Sequence, residues 1–143
     1  ISKRYTALVH GEWPEKLTYI NQALETYSNE GRERWTKVSA SGKSARTGFR
    51  KISGNEEFSL VEAFPKTGRT HQIRVHALWA RHPIVGDIRY GDKFKEAVLG
   101  LKTRMMLHAS QISIPQNKHV GKVDVECPLS HEFSETFEAL LKL

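Results

Sequence analysis

Apolar residues at every second position predict strands over much of this chain. The clearest case is residues 58–64, where Phe58, Leu60 and Phe64 would share one face and Val61 and Ala63 the other. Such alternation is typical of a half-buried strand with one face in the core. Further strands are predicted over residues 5–9, 47–52, 105–114 and 122–127.

Three segments carry helix signals. A helix is predicted over residues 71–81, with Thr70 as its N-cap and Pro83 ending it, because proline disfavours helical geometry in the preceding residue. A second helix over residues 93–99 would end at Gly100. A third would begin after Ser130, with four apolar residues at helical spacing: Phe133, Phe137, Leu140 and Leu141.

The predicted strands outnumber the predicted helices, and several are joined by loops too short to connect parallel strands. The sequence therefore predicts an α+β fold, a mostly antiparallel mixed sheet with helices packed on it. Residues 28–42 are polar and basic without a clear period. They are interpreted either as a loop or as a twisted hairpin that could contact a ligand.

The length of 143 residues suits one domain that buries a core without disulfides or a structural metal. The one cysteine, Cys127, has no partner for a disulfide within the chain, which indicates a reducing compartment. Apolar runs are only a few residues long, whereas a membrane span needs about 20. The sequence thus argues against membrane spans and a secretory signal, and a cytoplasmic location is expected.

The net charge is +6, and the basic residues are concentrated in two windows. Residues 32–51 contain seven basic residues and one acidic residue, and residues 66–104 contain nine basic and three acidic residues. This segregation is typical of a face that binds a polyanion, because phosphate contacts supply much of the affinity for nucleic acids. The alternative is a basic surface that serves only solubility.

Residues 68–92 are unusually dense in glycines, histidines and charges. Arg69, His71 and Arg74 lie near the start of the predicted helix, a region that favours anions. His71, His76 and His82 suggest a metal site as an alternative. Their spacings of five and six residues do not place ligands on one helical face, which argues against that site.

This segment reads GRTHQIRVH over residues 68–76 and HPIVGDIRYGD over residues 82–92. In this order and spacing, the two stretches resemble the signature of the RluA-type pseudouridine synthases. Three further stretches are similar to motifs of that family: KRYTALVHG over residues 3–11, GKSARTGF over residues 42–49 and RMMLHAS over residues 104–110. The resemblance extends over most of the chain.

Members of that family convert uridine in structured RNA to pseudouridine, detaching uracil from the ribose at N1 and rejoining it at C5. The resemblance implies the same reaction here, by base flipping, on large-subunit ribosomal RNA, in a monomer without a cofactor. It implies that Tyr5 stacks on the uracil and assists a proton transfer. It also implies that Arg74 pairs with the catalytic aspartate and keeps it ionised, and that Leu107 lines the uracil pocket.

Further polar residues in the matching motifs and basic windows are candidate RNA contacts. They are Lys43, Arg46, Arg69, His71, Gln72 and Arg81.

The family's catalytic aspartate lies in a motif resembling H-R-L-D-x-x-T-S-G, upstream of the tyrosine motif, and this motif does not occur in the sequence. The aspartates of the chain are Asp87, Asp92 and Asp124, and none has that context. Asp87 and Asp92 lie beside glycines and indicate turns rather than a nucleophile. We therefore expect residues 1–143 to be the C-terminal part of a single catalytic domain, with the aspartate in an upstream segment.

Ala80 and Arg81 replace what resembles Leu-Gly in the family, which leaves the end of the predicted helix open.

Two other functions stay open at this point. A non-catalytic RNA-binding module would use the same basic face without chemistry, and its affinity would fall steeply with salt. A histidine-based or metal-dependent hydrolase would require His71, His76 and His82 to converge, which their spacing does not favour.

Overall fold

A computed structural model of the chain describes residues 1–142, which form eight strands and three helices. The strands are β1 (Ser2–His10), β2 (Tyr19–Ile20), β3 (Leu24–Ser28), β4 (Arg34–Val38), β5 (Thr47–Gly54), β6 (Phe58–Pro65), β7 (Leu107–Ile114) and β8 (Val123–Glu126). The helices are α1 (Gln72–Trp79), α2 (Lys93–Leu99) and α3 (His131–Leu141).

Six strands form one sheet in the order β2-β5-β6-β1-β7-β8, and all neighbours run antiparallel. With the helices packed on it, this sheet confirms the predicted α+β class. The predicted strands other than β6 correspond to β1, β5, β7 and β8, with ends that differ by at most three residues. The two-residue strand β2 is too short to show a period, and the sequence did not predict it.

Strands β3 and β4 pair with each other in a separate two-stranded hairpin. Of the two interpretations of residues 28–42, the hairpin is the correct one, but it spans residues 24–38 and so begins earlier and ends earlier than predicted. The hairpin lies against α1, where a small second core is formed by Leu24, Ala45, Val75 and Tyr90.

Strand β6 differs from the half-buried strand that its alternation predicts. Every residue from Phe58 to Ala63 is buried, including Ser59 and Glu62. The reason is position, because β6 pairs on both sides and contacts both α1 and α3. The polar residues are accommodated by partners, with the Ser59 hydroxyl donating to the Gly11 carbonyl and Glu62 paired with Arg50.

Helix α1 is shorter than predicted at both ends. Thr70 is not its N-cap: His71 precedes the helix in the left-handed conformation, with φ 54°, and no side chain caps the first turn.

At the other end of α1, Arg81 is left-handed, with φ 68°. The Arg81 N–H donates to the Leu78 carbonyl at 2.9 Å and the His82 N–H to the Ala77 carbonyl at 3.0 Å. This Schellman turn ends the helix before Pro83 does.

Helix α2 begins and ends as predicted, and α3 begins where Ser130 predicts. Asp92 caps α2 by accepting from the Lys95 N–H at 2.9 Å, and left-handed Gly100 ends it. The Ser130 hydroxyl accepts from the Phe133 N–H at 3.1 Å and caps α3.

Helix α1 is held on the sheet by Ile73 and Ala77, which belong to the same core cluster as Ala7 of β1 and Ala63 of β6. The small alanines let the helix approach the strands, so its first turn lies beside the ends of β1 and β6. None of the helices within residues 1–142 has the length and apolar character needed to cross a membrane.

Candidate active site

A cavity of about 390 Å³ lies where the start of α1 meets β1, the end of β6 and the start of β7. Six of the nine residues predicted for the site line it: Tyr5, Arg69, His71, Gln72, Arg74 and Leu107. They come from three motifs that are far apart in the sequence, and the fold brings them to one place.

Strand pairing positions Tyr5 and Leu107 in this cavity. Tyr5 lies between Ala63 on β6 and Ala109 on β7, whose small side chains leave the space beside its ring open. The register between β1 and β7 shifts between Arg4 and Tyr5, an irregularity that changes the direction of a side chain on a strand. Two residues further along, Ala7 pairs with Leu107.

Arg74 is held by a two-point ion pair with Asp87. Its Nε lies 2.8 Å from Oδ2 of Asp87 and its Nη2 lies 2.8 Å from Oδ1. The Arg74 side chain is 15% exposed, whereas the Asp87 side chain is fully buried. The guanidinium also lies over the Tyr90 ring, 4.9 Å from its centre. These contacts fix the plane of the guanidinium.

Burial alone would raise the pKa of Asp87, but hydrogen bonds from Arg74 and from the backbone N–H groups of Tyr90 and Arg89 hold that pKa below its ordinary value. Hydrogen bonding to Asp87 in turn raises the pKa of Arg74, against the opposing effect of burial. Both groups are therefore charged at neutral pH. Asp87 forms the turn that the sequence predicts and is also the partner of Arg74, which the sequence did not reveal.

The lining of the cavity is strongly cationic. Besides Arg69 and Arg74 it includes Lys3 and Lys66, and no aspartate or glutamate of residues 1–142 lines it. Each aspartate is engaged elsewhere: Asp87 with Arg74, Asp92 at the start of α2, and Asp124 beside Ser113. The cavity is thus suited to an anionic ligand, and the residues around it supply no nucleophilic carboxylate.

Gln72 lies in the cavity wall, but its amide is fully engaged within the protein. The amide nitrogen donates to the Arg46 carbonyl and the Thr47 hydroxyl, while the amide oxygen accepts from the Thr67 hydroxyl and the Arg69 N–H. These four bonds exhaust the hydrogen-bonding capacity of the amide. These bonds give Gln72 a structural role in fixing the loop before α1, and its contact with RNA stays a prediction.

The three histidines of the predicted metal alternative have separate surroundings. His71 contacts the Tyr90 hydroxyl, buried His76 lies between the Thr47 hydroxyl and the Gln22 carbonyl, and His82 contacts the His10 carbonyl. Burial lowers the pKa of His76, which keeps it neutral. Within residues 1–142 no group of three or more histidine, cysteine or acidic side chains could hold a metal ion.

The remaining three predicted contacts do not line the cavity. Lys43 lies in a neighbouring groove that also includes Arg69, so it is adjacent to the site. Arg46 stacks on Tyr19, with its guanidinium carbon 4.0 Å from the ring centre. Arg81 is exposed at the far end of α1, which places it away from the cavity that the first turn lines.

Sequence reasoning missed four residues that shape the site: Lys3 and Lys66, which line it, and Asp87 and Tyr90, which support it. A signal existed for the last two, because both lie in the HPIVGDIRYGD stretch that the sequence singled out. The sequence could not tell which side chains of the first stretch they contact.

A basic cavity with an aromatic ring and an apolar wall is suited to a flat ligand that carries negative charge. Residues 1–79, more than half of the chain, match the family model described as RNA pseudouridylate synthase. The chain belongs to that family, which confirms the relationship predicted from its motifs.

Relatives with the same printed name, ribosomal large subunit pseudouridine synthase C, match nearly the whole chain. The protein of Pasteurella multocida is 40% identical over 143 residues, which cover 98% of this chain and 44% of that protein. The protein of Buchnera aphidicola subsp. Schizaphis graminum is 38% identical over 145 residues, which cover 99% of this chain and 46% of that protein. The chain thus spans less than half the length of these curated relatives.

Solved structures show the same fold. Human RNA pseudouridylate synthase domain containing 1 superposes with a TM-score of 0.71 at 28% identity, covering 97% of this chain and 65% of that chain. Human RNA pseudouridylate synthase domain containing 4 gives a TM-score of 0.73 at 22% identity, covering 97% and 62%, a likeness of fold alone.

Proposed function

We propose that this chain forms the base-binding part of an enzyme that isomerises uridine to pseudouridine in large-subunit ribosomal RNA. In this proposal the catalytic aspartate comes from a segment outside residues 1–143. The proposal rests on one observation: Tyr5, Arg74 and Leu107 line the same cationic cavity. The names of the relatives support the choice of RNA.

The reaction needs a carboxylate near the anomeric carbon, a surface on which the detached base can turn, and a group that keeps the carboxylate ionised. The ring of Tyr5 and the side chain of Leu107 offer the surface. Lys3, Lys66 and Arg69 offer charge to the phosphates beside the flipped nucleotide. These residues supply the surface and the charge, which leaves the carboxylate and the group that keeps it ionised.

Arg74 has the geometry to hold two carboxylates at once. A guanidinium carries five N–H donors, and Asp87 engages Nε and Nη2, one donor on each. The donors on Nη1 have no partner among the described residues, and Arg74 lines the cavity. We propose that this second edge receives the catalytic aspartate, keeping it ionised and directed at the sugar.

The experiment is Arg74→Lys in the full-length protein, assayed on ribosomal RNA by chromatographic separation of pseudouridine from uridine. Lysine keeps the charge that Asp87 needs but cannot bind two carboxylates in fixed directions. We expect the initial rate to fall about 100-fold or more, with RNA affinity changed less than about threefold. The matched control is Arg104→Lys, at an exposed arginine that contacts Ser130 outside the cavity. Near-normal turnover in Arg74→Lys would disprove the role of Arg74.

A second function is favoured by the lack of a carboxylate in the lining formed by residues 1–142. We propose that the chain by itself binds RNA without chemistry. The isolated chain should then bind ribosomal RNA and form no pseudouridine, whereas product from the chain alone would mean that a residue within it acts as the nucleophile.

A further inference from the structure

His71 lies in the cavity wall in a conformation that costs the fold free energy. Its backbone is left-handed, with φ 54° and ψ 25°, a conformation that is unfavourable for a residue with a Cβ. The αL turn brings its ring beside Tyr90, with ring centres 5.4 Å apart and planes at 63°. Strain of this kind persists where the surrounding structure holds a side chain in one direction.

The hydroxyl of Tyr90 favours one neutral tautomer of His71. This oxygen accepts from the buried backbone N–H of Thr36 at 2.9 Å and lies 2.7 Å from Nδ1 of His71. These are its hydrogen-bond partners within residues 1–142. Its own proton therefore points at Nδ1, which accepts it. Neutral His71 then carries its proton on Nε2.

The surroundings also keep His71 neutral. Burial lowers its pKa, and the nearby charges of Arg74 and Arg89 lower it further, while Asp87 opposes them. A protonated ring would have to donate from Nδ1, leaving the Tyr90 proton without an acceptor. Nε2 has no partner among the described residues and is not among their fully enclosed polar atoms. In this tautomer the free ring nitrogen of His71, a residue of the cavity wall, donates and does not accept.

Building on the proposed function, we propose that His71 is a specificity-determining residue that donates from Nε2 to the C4 carbonyl oxygen of the target uracil. Tyr90 is the positioning residue that fixes the donor. Uracil carries a carbonyl oxygen at C4 where cytosine carries an amino group. A group that only donates forms a hydrogen bond with the carbonyl oxygen of uracil. The amino group of cytosine would face it as a second donor, so cytosine is rejected. A histidine free to exchange its proton between the two nitrogens would accept either base.

The positioning step is tested first by NMR on the ¹⁵N-histidine-labelled chain at pH 7.5. Two-bond proton–nitrogen correlations distinguish the two neutral tautomers, and His71→Gln identifies the His71 signals. We expect the Nε2–H form in the wild type and in Tyr27→Phe, a control that removes the hydroxyl of an exposed tyrosine. We expect a mixture of tautomers in Tyr90→Phe. A wild-type ring protonated on Nδ1, or no change in Tyr90→Phe, would overturn the inference.

The specificity step is tested in the full-length protein with two RNAs that differ only in uridine or cytidine at the target position. Loss of one discriminating hydrogen bond should reduce the ratio of the two affinities about fivefold to tenfold in Tyr90→Phe. His71→Gln should reduce it similarly, because the amide can turn to donate or accept. This second variant keeps the test valid if Tyr90→Phe folds poorly.

The outcomes separate this inference from the proposed function. Pseudouridine formation by the wild type with unchanged discrimination in both variants would overturn the role of His71 alone. An equal loss of affinity for both RNAs would mean that Nε2 binds a phosphate or ribose oxygen, and would overturn the base-reading role. A wild type that neither modifies nor discriminates the two RNAs would overturn both proposals.

Discussion

At the scale of single residues, Arg74 contacts both the buried Asp87 and the cavity of the candidate site. One edge of its guanidinium binds Asp87, whose carboxylate also accepts from the backbone N–H groups of Arg89 and Tyr90. The turn that contains Asp87 thereby sets the direction of the other edge. Removing one partner of such a buried pair is costly, because it leaves a charge without compensation.

Asp87→Asn should therefore destabilise the protein by about 3 kcal/mol at pH 7, as measured by urea unfolding. The pKa of Asp87 lies below 3.8 in the fold, so its contribution is complete above that value. As the pH falls through the folded-state pKa, the contribution is lost. The difference between wild type and variant should then shrink below about pH 4.

The matched control is Asp92→Asn. Asp92 caps α2, and asparagine caps helices about as well as aspartate, so the change in stability should be small at every pH. A difference between wild type and Asp87→Asn that stayed constant down to pH 3 would contradict the ion-pair explanation.

The sequence predicted some site residues and missed others for a physical reason. Tyr5, Arg74 and Leu107 lie in motifs whose residue types and order are specific, so the resemblance could place them. Asp87 was interpreted as a turn residue because a separation of 13 residues does not reveal which basic side chain a carboxylate meets. Gln72 was interpreted as an RNA contact because the sequence cannot show that its amide is already saturated.

At the scale of elements, the ends of α1 determine which residues reach the cavity. His71 and Arg74, at the start of the helix, lie in the cavity wall, whereas Arg81 lies at the opposite end of the helix. The period of the apolar residues predicted that a helix exists here. It could not predict the ends, because both depend on residues that take left-handed backbone angles without being glycine.

Arg81 occupies the position of a Schellman turn where glycine is preferred. Arg81→Gly should therefore stabilise the protein by about 0.5 to 1 kcal/mol, because glycine takes this conformation without the Cβ penalty. The midpoint of urea unfolding measures the change. In the control Lys102→Gly, the backbone has no positive φ, so no gain is expected. A loss of stability in Arg81→Gly would contradict the strain argument.

The same scale explains why β6 was predicted as half-buried. Alternation of side-chain size identified a strand correctly, but burial depends on what covers each face. Glu62 could be buried because Arg4 and Arg50 approach it from the strands on either side, contacts that no local pattern contains.

At the scale of the whole molecule, the basic residues divide into two groups. Several neutralise acidic partners within the protein, as Arg50 does for Glu62 and Arg89 for Glu33. Others, including Lys66 and Arg69, line the cavity, where no aspartate or glutamate within residues 1–142 opposes them. The two basic windows of the sequence therefore contain more basic residues than line the cavity.

This division predicts the salt dependence of RNA binding. Each phosphate contact on a single strand contributes about 0.7 to the slope of log affinity against log salt, so Lys66→Gln with Arg69→Gln should reduce the slope by about 1.4. The control pairs Lys16→Gln with Lys118→Gln, which removes the same charge from exposed positions outside the cavity. Both slopes are measured by binding titrations of the full-length protein at about 50 to 300 mM salt, a range that includes the physiological ionic strength. If RNA phosphates bind at the cavity, the salt slope falls only in the variant with Lys66→Gln and Arg69→Gln. Counterions are released only where a basic side chain contacts a phosphate. Equal changes in both variants would mean that net charge alone, rather than this face, attracts the RNA.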